Sequence, residues 1–493
     1  MTSDESKSSV REMIREVGRL TASILDGRAN QKPLPSDLDA SALAAHFDEE
    51  LPYEGMPVRD VLRSIEEGII PAALNLANPL TFGLMTPHPL AFPAVLDALI
   101  SALNQNLGCA WRTAPSGIEV ELRTIAWLCE LCGLPAGSSG HFTTGGTVSN
   151  LTAMRLALHH AFPEARARGL IGLKSQPVLY VSDQGHFSID RAAGVLGLGE
   201  QNLRKIRALP DLTIDVEDLT ANIQNDRQQG RMPFAVVGTA GITTNGTIDP
   251  LMRLAYICAS ENLWFHVDAA YAGALVLSKR LRSHLAGIEK ADSVTLDPHK
   301  WMFVPFSLGA LLTRHRYLLR SAFSQETAYL GREHMSEGDS APSGFYELGL
   351  DGSRRFNGLK LWATMKHLGI VGLGEIIERQ VNLAQVLYER LANVHNIEVA
   401  PRSPTNIVCF RLAPAGTDES MRDSLQVQFQ MRLEDAVGCW LSNATIQGRR
   451  FLRVNLLHHD IKQEDTDRLL SGITTAAGMY GSSAATVGLG SPS

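Results

Sequence analysis

The chain has no run of about 18 uninterrupted apolar residues, the length a membrane-spanning helix needs, so no such span is expected. Its first residues, MTSDESKSSVREMIREVGRL, lack the apolar core of a secretory signal, and the expected compartment is the cytoplasm. Positive charge is not in excess. Against 45 Lys and Arg stand 52 Asp and Glu, a formal net charge of −7, which argues against a nucleic-acid or anionic-membrane binder. Cysteine is scarce, six in 493 residues, too few for a disulfide framework. Cys129 and Cys132 form a C-x-x-C, but inside the apolar helical run IAWLCELCGLP and with no second cysteine pair at metal-ligand spacing. They read as buried thiols, and no metal site is expected. The phosphate-binding pattern G-x-x-x-x-G-K-[ST] is also missing.

What is present is an ordinary globular composition, 44% hydrophobic and 20% charged, in a chain long enough for more than one domain. Residues 1–85 carry apolar residues at helical spacing in REMIREVGRLTASILDG and PVRDVLRSIEEGIIPAAL, and read as a helical segment suited to pack on a partner subunit. Residues 86–355 read as a large domain. There helical stretches alternate with the β-rich runs PVLYVS, FAVVGTA, LWFHVDAA, SVTLD and LGALLTR, which predicts an α/β fold with a mostly parallel sheet covered on both faces. Within it, the polar, turn-rich stretch at about 316–355 reads as a functional loop, its mobile part at about 320–345. Residues 356–480, with NIVCFRL and RFLRVNLL between helical runs, read as a smaller α+β domain, and 481–493 as a disordered tail.

The chemistry-bearing residues follow the strands, where loops gather at the carboxyl edge of a parallel sheet. In DSVTLDPHKWMFVP a strand runs into Asp297-Pro298-His299-Lys300-Trp301. A lysine there, beside an aromatic ring and a histidine, could be a desolvated amine nucleophile. In LWFHVDAAYAGA, Asp268 ends an apolar strand and needs a partner, which a protonated pyridine nitrogen would be. In HFTTGGTVSNLTAMRLAL a Gly145-Gly146 turn opens a helix with Thr147, Ser149 and Asn150, an arrangement that binds phosphate. His186, after PVLYVS, could stack on a flat ring, and Thr243 follows another strand. Taken singly, each has an ordinary structural explanation: a surface lysine, a buried salt bridge, a helix cap, a satisfied histidine, a turn.

Together these segments resemble the group II pyridoxal-phosphate (PLP) dependent decarboxylases, a family that acts on aromatic amino acids, histidine, glutamate, cysteine sulfinate and diaminobutyrate. The resemblance runs from about Leu51 to Leu470, through Gly-Gly-Thr, SDQ-x-H, G-x-T-T-x-G, HVDAAYAG and DPHKW in the family's order. It implies PLP-dependent transferase fold type I, with a seven-stranded large-domain sheet and a small C-terminal domain, and an obligate homodimer. It implies that Lys300 carries PLP as a Schiff base, Asp268 holds the pyridinium nitrogen, His186 stacks on the ring, and Thr243 and Ala270 line the cofactor. Gly146, Thr147 and residues near His299 would hold the phosphate. Aromatic decarboxylases commonly have Asn where this chain has Asp297, and that position's role stays open.

The resemblance also implies a loop tyrosine that, with His299, returns a proton to the substrate's α-carbon. Phe345 or Tyr346 is one candidate. Tyr329, in AFSQETAYLGREH and 29 residues after Lys300, matches the family's spacing better. Phe at that place marks aldehyde synthases, so Tyr329 favours simple decarboxylation to an amine. Arg453 matches an arginine that contacts a substrate carboxylate, and the alternative is a strand-edge salt bridge. Leu80, Leu84, Met85 and His88, in NPLTFGLMTPHP, are candidates for the substrate pocket, with Met85 and His88 taken as contacts. The expected reaction is decarboxylation of an L-amino acid, aromatic in preference. The alternatives are an aldehyde synthase, a decarboxylase of diaminobutyrate, glutamate or cysteine sulfinate, a fold-related aminotransferase, and an inactive relative.

Overall fold

The computed structural model describes residues 7–35, 39–109, 111–324 and 344–480. Tyr329, nearly all of the loop expected at about 320–345, and the tail 481–493 lie outside them.

Seven strands form the main sheet: β1 (Ser139–Thr143), β2 (Pro177–Ser182), β3 (Leu203–Ile206), β4 (Met232–Thr239), β5 (Trp264–Asp268), β6 (Ser293–Leu296) and β7 (Gly309–Thr313). Their order is β1-β7-β6-β5-β4-β2-β3. Strands β3, β2, β4, β5 and β6 are parallel, and β7 runs antiparallel to both β6 and β1. Alternation along the strands explains why both faces are covered. Val178, Tyr180, Val236, Phe265 and Val267 enter one core, while Leu179, Val181, Ala235, Val237 and Trp264 enter a second on the opposite face. The helix Pro115–Leu131 feeds the first core and Gly146–Ala161 the second. This is the doubly covered, mostly parallel architecture expected for fold type I.

A second, antiparallel sheet holds β8 (Ile397–Val399), β9 (Ile407–Leu412), β10 (Ser442–Ile446) and β11 (Arg449–Asn455) in the order β10-β11-β9-β8. Helices Glu419–Val437 and Gln463–Gly478 cover it, and Phe410, Phe429, Leu452 and Ile473 are central to its core. The segment before the main sheet leans on this unit: Phe82 donates its N–H to the Trp440 carbonyl, Trp440 donates to the Leu80 carbonyl, and both Leu80 and Phe82 join the core.

Two local features depart from the sequence reading. A helix, Arg316–Phe323, begins the stretch read as turn-rich, because Leu318, Leu319 and Ala322 give it one buried face. Phe345 is not a loop aromatic; it is buried beside Ile100 and Leu107, with the Arg354 guanidinium 4.4 Å above its ring. Cys129 and Cys132 are both buried, and burial pushes the Cys129 thiol up to about 12. Among the described residues no helix is long and apolar enough to cross a membrane.

Candidate active site

Register puts three polar residues side by side at the carboxyl edge: Thr239 of β4 pairs with Asp268 of β5, which pairs with Thr295 of β6. Strand β5 is the middle strand of the seven, so Asp268 ends at the centre of the edge. A cavity of about 280 Å³ opens there. Its lining gathers Lys300, Asp268, His186, Thr243, Ala270, Gly146, Thr147, His299 and Met85, all expected from the sequence.

Asp268 is buried and held by neutral donors. Asn150 Nδ2 donates to its Oδ2 at 2.8 Å, and the Ala270 N–H donates to Oδ1 at 3.2 Å. The network behind Asn150 has a definite direction. Trp264 Nε1 donates to Ser293 Oγ (2.9 Å), the Ser293 hydroxyl faces His266 Nδ1 (2.8 Å), and His266 Nε2 faces Asn150 Oδ1 (3.0 Å). Since an amide oxygen only accepts, His266 carries its proton on Nε2, and each donor then points toward Asp268. Burial pulls His266 down to about 4, so it stays neutral in this chain. The second Asn150 amide hydrogen goes to Ser188 Oγ (2.8 Å), which also faces His186 Nδ1 (2.9 Å). One asparagine thus connects the carboxylate at the strand end to the histidine on the next loop.

The other wall is the loop after β6. Lys300 Nζ lies 2.9 Å from Asp297 Oδ2, and its side chain keeps 23% exposure toward the cavity. Burial pulls the amine down, but attraction to Asp297 and Asp268 outweighs it and leaves Lys300 above its ordinary value. His299 accepts the Leu308 N–H on Nδ1 at 2.9 Å, so Nε2 bears its proton, 3.7 Å from Asp297 Oδ2. Burial pulls His299 down to about 4.

Beside this loop the helix Gly146–Ala161 presents its N-terminus to the cavity. The first bond inside it is Val148 N–H to the Gly145 carbonyl, so the Gly146 and Thr147 N–H groups precede the helical ladder. A Cβ on Gly146 would stand 2.7 Å from Asp297 Oδ2, so only glycine leaves this cradle open.

Four residues expected near the substrate are not brought to the cavity. His88 stacks on His458 and His459, at centroid distances of 4.9 and 5.2 Å, against the small sheet's unit. Arg453 is buried with its guanidinium committed to Ser442 Oγ and to the Thr243 and Gly83 carbonyls, tying β11 to two loops behind the site. Leu80 is in the small unit's core and Leu84 is exposed. Conversely, the sequence reading left Thr239 and Tyr271 unnamed and took Asn150 only as part of a helix opening. Thr239 Oγ1 is buried, lines the cavity and has no partner. The Tyr271 hydroxyl bonds Asn406 and Asn455, both at 2.7 Å. The signal for Asn150 was an amide side chain one turn into the helix that the glycine turn opens.

An amine, a carboxylate held without a counter-cation and a glycine-opened helix N-terminus match the aldehyde, pyridine nitrogen and phosphate of PLP, and the buried, unpartnered Thr239 hydroxyl leaves a polar group for it to meet. Fold and site define a PLP-dependent enzyme. The family described as "Pyridoxal-dependent decarboxylase conserved domain" matches residues 41–413. An aromatic-L-amino-acid decarboxylase of Bacillus atrophaeus is 32% identical over 409 residues, 82% of each chain. An L-2,4-diaminobutyrate decarboxylase of Rhizobium meliloti is 33% identical over 458 residues, 92% of this chain and 89% of the relative. The structure of Oryza sativa TDC with PLP and tryptamine shares the fold, with a TM-score of 0.89 at 24% identity over 97% of this chain and 99% of that one. The chain belongs to the pyridoxal-dependent decarboxylase family and is a PLP-dependent carboxy-lyase.

Proposed function

We propose that this enzyme removes the α-carboxylate of an aromatic L-amino acid and releases the amine and carbon dioxide. The observation that supports the substrate class is the charge of the cavity wall. Among the described residues its charged side chains are Asp268, Asp297 and Lys300. Lys300 is paired with Asp297, burial lowers both His186 and His299, and Arg453 is committed elsewhere. Among the described residues nothing at the cavity is then left to pair with the side-chain carboxylate of glutamate or the sulfinate of cysteine sulfinate. Burying such an anion unpaired is costly, so a side chain without negative charge is favoured. Met85, Val148 and Ala270 bring apolar side chains to the cavity lining.

In this reading Lys300 is the residue that carries the cofactor and yields to the substrate amine. PLP supplies an electron sink for the pair released when the Cα–carboxylate bond breaks. Asp268 keeps a negative charge at the pyridine end, and Asn150 fixes its orientation without neutralising it. His186 offers a flat face beside the ring, with its tilt set by Ser188. Gly146 and Thr147 offer backbone N–H groups to the phosphate, while Thr243 and Ala270 bound the cavity. Overall the substrate loses carbon dioxide and gains one proton at Cα. Tyr329 is the proposed donor, with His299 Nε2–H as the group that assists it.

A second copy of the chain and a cytoplasmic setting belong to the same proposal. Val10, Ile14, Val17 and Ile24 are exposed along one face of the helix Lys7–Leu25, and Phe92, Val95, Leu99 and Leu103 along the helix Ala91–Leu103. Apolar faces of this extent fit a subunit interface.

The test is to incubate the purified enzyme and PLP with single L-amino acids and to identify the products. Tyramine, tryptamine or a similar amine should form faster than the amines from diaminobutyrate, glutamate or cysteine sulfinate. The reverse ranking sinks the aromatic assignment. Aldehyde with hydrogen peroxide would move the enzyme to the aldehyde synthases.

A further inference from the structure

The Asp297 carboxylate has no place in the chemistry above, yet it is the nearest charged group to the amine that chemistry depends on. It is buried, its Oδ2 lies 2.9 Å from Lys300 Nζ, and its Oδ1 has no partner. The same Oδ2 borders the glycine cradle, 2.7 Å from where a Cβ on Gly146 would stand. An asparagine at this position would fill the same space without a charge to pair with the lysine.

We propose that Asp297 is a positioning residue for Lys300: it holds the amine as an ammonium ion in the cofactor-free site and thereby gates cofactor capture. The proposal rests on the reading of Lys300 as the cofactor lysine. Capture joins Lys300 Nζ to the aldehyde carbon of PLP. The amine's lone pair forms the new bond, the carbonyl oxygen leaves as water with two protons, and no oxidant or reductant is needed. An ammonium ion has no lone pair to offer, so capture waits until the proton departs.

The groups facing the amine support this order of events. Asp297 comes from its own loop and Asp268 from the end of β5, and both favour the charged amine. His299, on the same loop, and His186, after β2, are held neutral by burial and supply no base strong enough to take the proton. Lys360, on the helix Gly358–Leu391, acts on His299 and spends its ammonium on the Pro305 and Phe306 carbonyls at 3.1 and 3.0 Å, with Asp97 Oδ1 at 3.7 Å. Asp297 is therefore the group whose removal shifts the balance most.

The experiment mixes cofactor-free enzyme with PLP by stopped flow from pH 7 to 9 and reads the absorbance change, with borohydride trapping and peptide mapping to identify the lysine modified. Wild type should capture slowly at pH 7 and accelerate with pH. Asp297→Asn should capture about tenfold or more faster at pH 7, since one unit off the amine's pKa is tenfold in free base, with its profile displaced to lower pH. Asp297→Glu should keep the wild-type profile. The cofactor's own titrations are common to all three proteins and cancel in the ratios. Coincident pH profiles for wild type and Asp297→Asn overturn the proposal. A measurement needing no variant is competitive acylation of Lys300 in the cofactor-free wild type. Its midpoint should lie above the ordinary lysine range, and a midpoint at or below it also overturns the proposal. Trapping on a lysine other than Lys300 removes the reading beneath it, an outcome distinct from an unchanged pH profile.

Discussion

The wall built on strand β5 and the wall built on the loop after β6 each bury a carboxylate in the same cavity, and they hold it by different means. Asp268 accepts from the Asn150 amide and the Ala270 N–H, both neutral, so its charge remains available to a cationic partner in the cavity. Asp297 faces an amine that is already charged, and keeps one oxygen without a partner. Neutral donors fix the position of a carboxylate while leaving its field intact. A paired ammonium cancels that field until something removes the ammonium. The first arrangement suits a permanent electrostatic role, the second a group whose charge balance changes when the site is loaded.

The largest effect expected from breaking this contrast is at Asp268. Asp268→Ala should still capture PLP through Lys300, but turnover should fall by about a thousandfold, equivalent to about 4 kcal/mol of lost stabilisation. Amine formation at saturating cofactor checks this, with absorbance confirming occupancy. A fall of less than tenfold would remove Asp268 from the pyridine end. Next is the cradle. Gly146→Ala drives a methyl group against Asp297 Oδ2 and beside the Ala270 methyl, so PLP affinity should drop roughly a hundredfold, about 3 kcal/mol, in a spectroscopic titration. Because the closest clash is with Asp297 Oδ2, at 2.7 Å against 3.3 Å for the Ala270 methyl, turnover at saturating PLP should change much less than affinity. A smaller loss is expected for Asn150→Ala. It leaves Asp268 with the Ala270 N–H and strands the His266 Nε2–H, a cost of about 1–3 kcal/mol for buried groups left unpaired, seen as a lower Tm of the cofactor-free protein.

How far the sequence revealed these walls depended on how locally each was written. The runs PVLYVS, FAVVGTA, LWFHVDAA, SVTLD and LGALLTR correspond to β2, β4, β5, β6 and β7, interior strands buried on both faces and therefore continuously apolar. The two strands not singled out, β1 and β3, are the outer edges of the sheet. SGHFT carries glycine and histidine, and LRKI carries two cations, the composition that keeps an edge from pairing further. The small sheet repeats the pattern: inner β9 and β11 were legible, edges β8 and β10 were not. In the site, Lys300, Asp268, His186 and the Gly145-Gly146 turn stood out because strand ends and glycine turns are local signals. Asn150, His88 and Arg453 were set by distant packing. Each has a residue type fit for several roles, and only the element lying across from it decides which: β5 for Asn150, the segment His458-His459 for His88, and the Thr243 and Gly83 carbonyls for Arg453.

The smallest effect expected is one that both walls share. His266 stands behind Asp268 and His299 beside Asp297, and burial brings each to about 4 from an ordinary value of 6.5. The native state therefore refuses a proton that the unfolded chain accepts as pH falls below 6.5. The stability each neutral ring contributes is fully present above pH 6.5 and is lost as pH falls toward about 4. The slope is at most about 1.4 kcal/mol per pH unit for each histidine. His299→Asn keeps an acceptor for the Leu308 N–H but cannot titrate, so its Tm should decline less than that of wild type between pH 7 and pH 5. The cost of acid at the Asp268 wall should persist in that variant, because His266 is untouched. If the two proteins lose Tm in parallel, His299 takes up its proton alike in the folded and the unfolded chain, and burial in the loop after β6 does not lower it.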